Sequence, residues 1–259
     1  GRGLAFLSNF IENVYLKKLI PDLRVAIPKT AIIGVDEFDN FLETNNLYDV
    51  IFEDKEYDHV LEAFRMARLS DKLRDNLRKY LQVMTKPLAV RSSGLFEDSL
   101  NQPFAGVYST YLLPNNHPDI ERRLEDVENA IKLVFASIYS PESRAYFNAI
   151  DYMIEEEKMS VIIQEVIGNE HNGRYYPEIS GVAQSYNFYP FSYIQPEDGF
   201  AVTAIGLGAY VVGGEKTHRF SPAYPKLQLA STQDKIKASQ RYFYGIDMLA
   251  RDYDLYRDG

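Results

Sequence analysis

Apolar residues at Leu4, Leu7, Phe10, Ile11, Val14, Tyr15 and Leu19 recur in steps of mostly three or four, which lines one side of a helix over 4–19. Pro21 and Pro28 end that pattern, since proline has no N–H to give and crowds the preceding turn. Residues 30–35 are short and rich in β-branched side chains, so they predict a strand, and Asp36 reads as the cap of a helix reaching about Leu42. Residues 57–83 carry one or two helices, with Ser70-Asp71 as the break and cap between them. A compact buried strand is expected over 87–92, with 107–113 as its hairpin partner. The most regular signal is Ile120, Leu124, Val127, Ile131, Val134 and Ile138, a continuous helical stripe. Ser140-Pro141-Glu142 then places a cap residue before a proline at a first helical position, which starts another helix.

After Glu155-Glu156-Glu157 the period changes from helical to strand-like. Segments 160–167, 179–184 and 200–205 are β-rich and separated by Gly, Asn and Pro, while the stretch beyond Pro225 is only weakly patterned. The pattern divides the chain into an α-rich first lobe, 1–155, and a β-rich second lobe, 156–259. The class expected is α/β (α+β).

Composition narrows the function. A formal charge of −9 excludes a general nucleic-acid binder, which needs a net basic face, but leaves room for a nucleotide held by local arginines and backbone N–H groups. No apolar run is long enough to span a bilayer, and the first twenty residues mix Asn9, Glu12, Lys17 and Lys18 into the apolar stripe, unlike a secretory signal. The absence of Cys removes disulfides and thiolate zinc sites, so a cytoplasmic location is expected. His59, His117, His171 and His218 are scattered without metal-ligand spacing, and no metal site is expected from them.

Four segments carry candidate chemistry. The first is Val90-Arg91-Ser92-Ser93-Gly94-Leu95-Phe96-Glu97-Asp98, followed by Phe104-Ala105-Gly106-Val107-Tyr108-Ser109-Thr110. An arginine at a strand end needs a partner for its charge, and its planar fork suits phosphate oxygens. Ser92, Ser93 and Gly94 allow a tight turn with free N–H groups, Gly106 permits close backbone approach, and Thr110 offers a hydroxyl. The alternative is a surface hairpin in which Arg91 pairs with Glu97 or Asp98. The second segment is Val161-Ile162-Ile163-Gln164-Glu165-Val166-Ile167-Gly168, either an ordinary core strand or one whose backbone edge meets an adenine. The third is Ile179-Ser180-Gly181-Val182-Ala183, and the fourth Gly206-Leu207-Gly208-Ala209-Tyr210-Val211-Val212-Gly213-Gly214, which lacks a Walker Lys-Ser/Thr ending.

In order and spacing, these segments resemble the N-terminal nucleotide-binding region of phosphoenolpyruvate synthases, pyruvate phosphate dikinases and related dikinases. That region carries Val-Arg-Ser-Ser, a Glu-Asp pair, Phe-Ala-Gly with Thr four residues on, Val-Gln-x-Met-Val, Ser-Gly-Val, and Gly-Leu-Gly-Glu-x-Val-Val-x-Gly. The resemblance covers nearly the whole chain, is strongest over 87–168 and fades beyond about 220. It implies a two-lobed ATP-grasp-like fold with ATP and Mg²⁺ in the cleft. Arg91 would grip phosphates as the catalytic arginine, with Ser92 at the adjoining turn and Gly106 and Thr110 lining the same hairpin. Gln164, Val166 and Ile167 would form the adenine-facing hinge. The phosphoryl group would pass to a carrier His on a separate domain and then to pyruvate, so the expected partners are ATP and the carrier-His and pyruvate-binding domains of a longer protein, with no nucleic acid and no membrane.

The resemblance has gaps. The family's opening Gly-Gly-Lys would place its Lys just before Gly1, and its later Gln-x-Arg has no counterpart between Pro225 and Gly259, so the chain is expected to be cut short at both ends and inactive alone. Ala209 stands where the family has Glu, and Gln184-Ser185-Tyr186 where it has Phe-Thr-Arg. These departures leave two rival readings: a different acceptor, such as a glucan or an antibiotic, or a non-catalytic nucleotide-sensing or protein-interaction module.

Overall fold

A helical layer lies on one face of a four-stranded antiparallel sheet in the first of two units into which the chain divides, Gly1–Val166 with Ala250–Gly259, and Ile167–Leu249. The computed structural model describes residues 2–13, 20–53, 56–97, 106–150, 153–214, 216–227, 231–251 and 253–258.

The first unit runs α1 (Arg2–Asn13), β1 (Thr30–Ile33), α2 (Val35–Thr44), α3 (Tyr48–Glu53), α4 (Tyr57–Met66), α5 (Asp71–Val83), β2 (Leu88–Gly94), β3 (Thr110–Leu113), α6 (Ile120–Ala136), α7 (Pro141–Ala149) and β4 (Met159–Glu165). Its strands are ordered β1-β4-β2-β3, every neighbour antiparallel. The stripe of α6 behaves as its spacing predicts: Leu124, Val127, Ile131 and Val134 are buried, and the helix packs on β2, β3 and β4. Phe38 of α2 meets Phe135 of α6 edge-on at 5.1 Å between ring centres, and Phe41 meets Phe64 of α4 at 5.5 Å.

The caps explain most of the boundaries. Ser70 Oγ accepts from Leu73 N to start α5, and Ser140 Oγ accepts from Ser143 N to start α7, with Pro141 in its first turn. Asp36 is not a cap. Helix α2 begins one residue earlier, at Val35 after Gly34, and Asp36 sits in its first turn. Its carboxylate folds over Gly34, where a Cβ would lie 2.5 Å from Asp36 Oδ1. Ile138 ends the α6 stripe in a 3-10 turn, Ser137–Tyr139. The six residues of α3 are too few for a period to show, yet Ile51 is fully buried. Of the N-terminal stripe, residues 14–19 lie outside those described.

The second unit contains β5 (Asn169–His171), β6 (Arg174–Tyr176), β7 (Ile179–Gln184), β8 (Phe200–Ile205), α8 (Ala209–Gly213), β9 (His218–Phe220), α9 (Thr232–Ala238) and β10 (Ile246–Asp247). These strands form two small antiparallel sheets, β10-β6-β5 and β7-β8-β9. The last element, α10 (Leu255–Asp258), belongs to the first unit, where Leu255 packs against the core and the Tyr253 hydroxyl donates to Asp126 Oδ2 at 2.9 Å.

The α/β (α+β) class expected from sequence is the one observed. The division falls after Val166 rather than after residue 155, and 250–259 return to the first unit. The reason is β4, which reads as the opening of a β-rich segment but ladders between β1 and β2 inside the first sheet.

Candidate functional site

Strand parity assembles the site. Along β2, Leu88 and Val90 turn into the helix-covered core, so Ala89, Arg91 and Ser93 share the other face. The ladders set Arg91 opposite Thr110 of β3 and Ile162 of β4, and Ile162 opposite Ile32 of β1. In the next row Ala89 stands between Leu112 and Gln164, and Gln164 opposite Thr30, whose Oγ1 accepts from Gln164 Nε2 at 2.9 Å. Arg91, Thr110 and Gln164 are thereby brought onto one face, turned away from the core, with Arg91 and Thr110 exposed.

No carboxylate among the described residues pairs with Arg91. Glu97, the expected partner in a surface hairpin, is used elsewhere: it accepts from Ser92 Oγ and from Gly94 N, each at 2.9 Å. Asp98, the other such partner, lies outside the described residues. A guanidinium left with its donors outward is what a phosphate group requires. Ser92 does not join it. One residue along a strand reverses the face, so its hydroxyl binds Glu97 on the opposite side of the sheet from Arg91.

The remaining expected residues are placed unevenly. Gly106 is exposed with φ +83°, a left-handed conformation that favours glycine, and residues 101–105 before it lie outside those described. At the expected hinge, Glu165 N donates to Lys29 O and Val166 N to Pro87 O, both at 2.9 Å, so these two N–H groups extend the ladder rather than facing a ligand. Ile167 is the first residue of the second unit and is half exposed.

Behind the turn that follows Arg91 lies a group the sequence pattern hides. Glu157 reads as part of an acidic surface run but is only 2% exposed. Phe96 N donates to its Oε1 at 3.3 Å, and burial pushes its carboxyl up to about 7, with the neighbouring charge of Glu97 a smaller contribution in the same direction. Tyr108 stands beside it, its hydroxyl also held protonated chiefly by burial. The one available signal was position, two residues before a buried strand.

In the second unit, two further segments from the sequence meet. Ser180 Oγ donates to Gly206 O at 2.6 Å, Leu207 N donates to Tyr244 O at 2.9 Å, and Gly206 has φ +79°. Gly208 precedes α8, whose first residue is Ala209. Among the described residues no cluster of three or more His, Cys, Asp or Glu is placed to hold a metal ion, and no helix is long and apolar enough to cross a membrane.

A groove of about 1250 Å³ in the first unit is lined by Arg74, Glu128, Lys132 and Tyr253 among others. It lies on the helical side, away from the Arg91 face. Arg74 pairs with Glu128 at 2.6 Å and Lys132 Nζ donates to Arg65 O at 3.1 Å, so its buried charges are matched internally rather than presented to an anion.

Comparison with known proteins bears on this geometry. A family model described as pyruvate phosphate dikinase, AMP/ATP-binding domain, matches residues 12–245. The chain is 26% identical over 163 residues to a phosphoenolpyruvate synthase of Aeropyrum pernix, covering 62% of this chain and 17% of that protein. It is 28% identical over 194 residues to an uncharacterized phosphotransferase, YvkC, of Bacillus subtilis, covering 74% and 20%. It is 29% identical over 180 residues to a phosphoenolpyruvate synthase of Deinococcus radiodurans, covering 67% and 20%. The aligned part is thus a fifth or less of each of these relatives.

Proposed function

This chain belongs to the pyruvate phosphate dikinase AMP/ATP-binding domain family, and from that premise we propose that it is the ATP-binding module of a phosphotransferase that phosphorylates a carrier His on another domain, for conversion of pyruvate to phosphoenolpyruvate. The observation that carries the reading is Arg91: a strand arginine on the sheet face away from the core, opposite Thr110, with no carboxylate among the described residues taking its charge. A two-lobed ATP-grasp-like arrangement would put the nucleotide against this face.

In such a module the protein's contribution is positioning and charge neutralisation rather than covalent chemistry. Arg91 would bind non-bridging phosphate oxygens through two parallel N–H donors and stabilise charge as it builds during transfer. Thr110 would supply a hydroxyl from the facing strand, and Gln164, fixed by Thr30, would edge the same surface. Mg²⁺, if bound with the nucleotide, would supply neutralisation of the phosphate charge. No residue here is assigned to it. The carrier His belongs to another domain, because His59, His117, His171 and His218 do not sit in the family's carrier motif.

The test is transfer by the longer protein that contains this module. Incubated with ATP and labelled pyruvate, it should form labelled phosphoenolpyruvate through a phosphohistidine, and the 259-residue chain alone should form none. Phosphohistidine without phosphoenolpyruvate would point to another acceptor. ATP binding without any phosphohistidine would favour the non-catalytic module, the reading consistent with Ala209 in place of a family Glu.

A further inference from the structure

Two hydrogen bonds in series orient the Gln164 amide. Thr30 Oγ1 donates to Pro28 O at 2.9 Å, and because a carbonyl can only accept, the single hydroxyl proton of Thr30 is committed there. The same oxygen is left to accept, and it takes Gln164 Nε2 at 2.9 Å. That bond turns the NH₂ group toward β1. It leaves Oε1 on the other branch of the amide, where it accepts from none of the described residues.

The neighbours of Gln164 on this face are apolar. They are Ile162 two residues back along β4, Ile32 diagonally on β1, and Ala89 and Leu112 in its own row. Ile32 is 49% exposed and Leu112 40%, so apolar surface stays open beside the amide. Arg91 and Thr110 stand on β2 and β3, two strand spacings or about 10 Å across the sheet from the Ile32–Ile162 pair. The face is thereby divided, with a guanidinium and a hydroxyl on one side and an apolar floor with a fixed acceptor on the other. Two backbone donors at the same end, Glu165 N and Val166 N, are already taken by Lys29 O and Pro87 O.

We propose that Thr30 is a positioning residue that sets the base preference of this face: by holding the Gln164 amide it presents Oε1 as a fixed acceptor, which favours a purine bearing a 6-amino group over one without it. The inference rests on the reading of the Arg91 face as the nucleotide site, and it assigns Thr30 no contact with the nucleotide. A ribose hydroxyl both donates and accepts, so either orientation of the amide would serve it. An exocyclic amine beside an aromatic ring only donates, so it is the group that a locked acceptor rewards. Without the Thr30 hydroxyl the amide is free to turn, and its NH₂ group can then serve ring nitrogen N1, which both purines carry as an acceptor.

The experiment titrates the 259-residue chain, Thr30→Val and Thr30→Ser with Mg-ATP and with the Mg complex of purine riboside triphosphate, which lacks only the 6-amino group. The wild type should bind ATP roughly three- to tenfold more tightly than the analogue, the net worth of one hydrogen bond. Thr30→Val keeps the branched shape but not the hydroxyl, and it should bring the two affinities to within about twofold of each other. Thr30→Ser restores the hydroxyl and should keep the wild-type ratio. If Thr30 served only the fold, Thr30→Val would weaken both nucleotides alike and leave the ratio unchanged, and that result would overturn the proposal. Equal affinity of the wild type for the two nucleotides would also overturn it, and this arm holds even where Thr30→Val fails to fold. Absence of binding by either nucleotide would remove the Arg91 face as the site and the base preference with it. Binding that Arg91→Lys weakens, but that ignores the 6-amino group, would keep the site and sink the role of Thr30.

Discussion

Arg91 of β2 and Thr110 of β3 stand directly opposite each other in an antiparallel ladder, both exposed, on the sheet face that the core leaves uncovered. Their pairing joins two segments separated by a long connection, and it sets a guanidinium beside a hydroxyl with no carboxylate of the described residues between them.

From this follows a separation of binding from stability. Arg91→Lys keeps the charge but loses the fork, so it should weaken ATP binding by about 1.5–3 kcal/mol, roughly ten- to a hundredfold. The melting temperature should stay within a degree or so, because the Arg91 side chain makes no hydrogen bond or ion pair with the described residues and exposed substitutions of this kind change stability by about 0.5 kcal/mol or less. Calorimetry of unfolding and of binding on the same sample checks both halves. A large fall in melting temperature would mean that the arginine mainly holds the sheet together.

Asn115 should behave in the opposite way. It is 4% exposed, adopts φ +51°, and its Nδ2 donates to Met84 O at 3.0 Å and to Lys86 O at 2.9 Å. Arg123 Nη1 donates to Leu81 O and Met84 O at 3.2 Å, so the two residues together satisfy the carbonyls where α5 hands over to β2. Asn115→Ala leaves buried carbonyls short of donors and should cost about 1–3 kcal/mol in urea unfolding. ATP affinity of the folded fraction should change far less than in Arg91→Lys.

Much of the first unit was legible because its signals are local. The period of α6, the serines before α5 and α7, and the alternation of 87–92 and 107–113 each declare an element within a short window. What stayed hidden depends on pairing across the chain. No local feature tells that β4 ladders between β1 and β2, so the division of the chain moved from 155 to Val166. For the same reason Ser92 read as a companion of Arg91, although strand parity alone separates them. Glu157 was hidden by its neighbours, since two adjacent glutamates make a buried acid look like a solvated run.

In the second unit, the Gly206 turn gives an independent check. With φ +79° and only 2.7 Å between a would-be Cβ and Tyr244 O, Gly206→Ala is strained in backbone and in space. It should cost about 1–3 kcal/mol, whereas Ser180→Ala, which removes one hydrogen bond to Gly206 O, should cost about 1 kcal/mol. Hydrogen exchange should show the loss at β7, β8 and α8 for both, with the glycine variant more affected. Equal protection in the two variants would mean that the turn is not held as described.

The central claim is that this chain binds a nucleotide through the Arg91 face, and the most direct measurement is a calorimetric titration of the 259-residue chain with Mg-ATP at millimolar concentration, repeated with Arg91→Lys. The account predicts weak, saturable heat for the wild type and a clear loss of affinity in the variant. Heat no greater than a non-specific control, or identical binding by the two proteins, would contradict it.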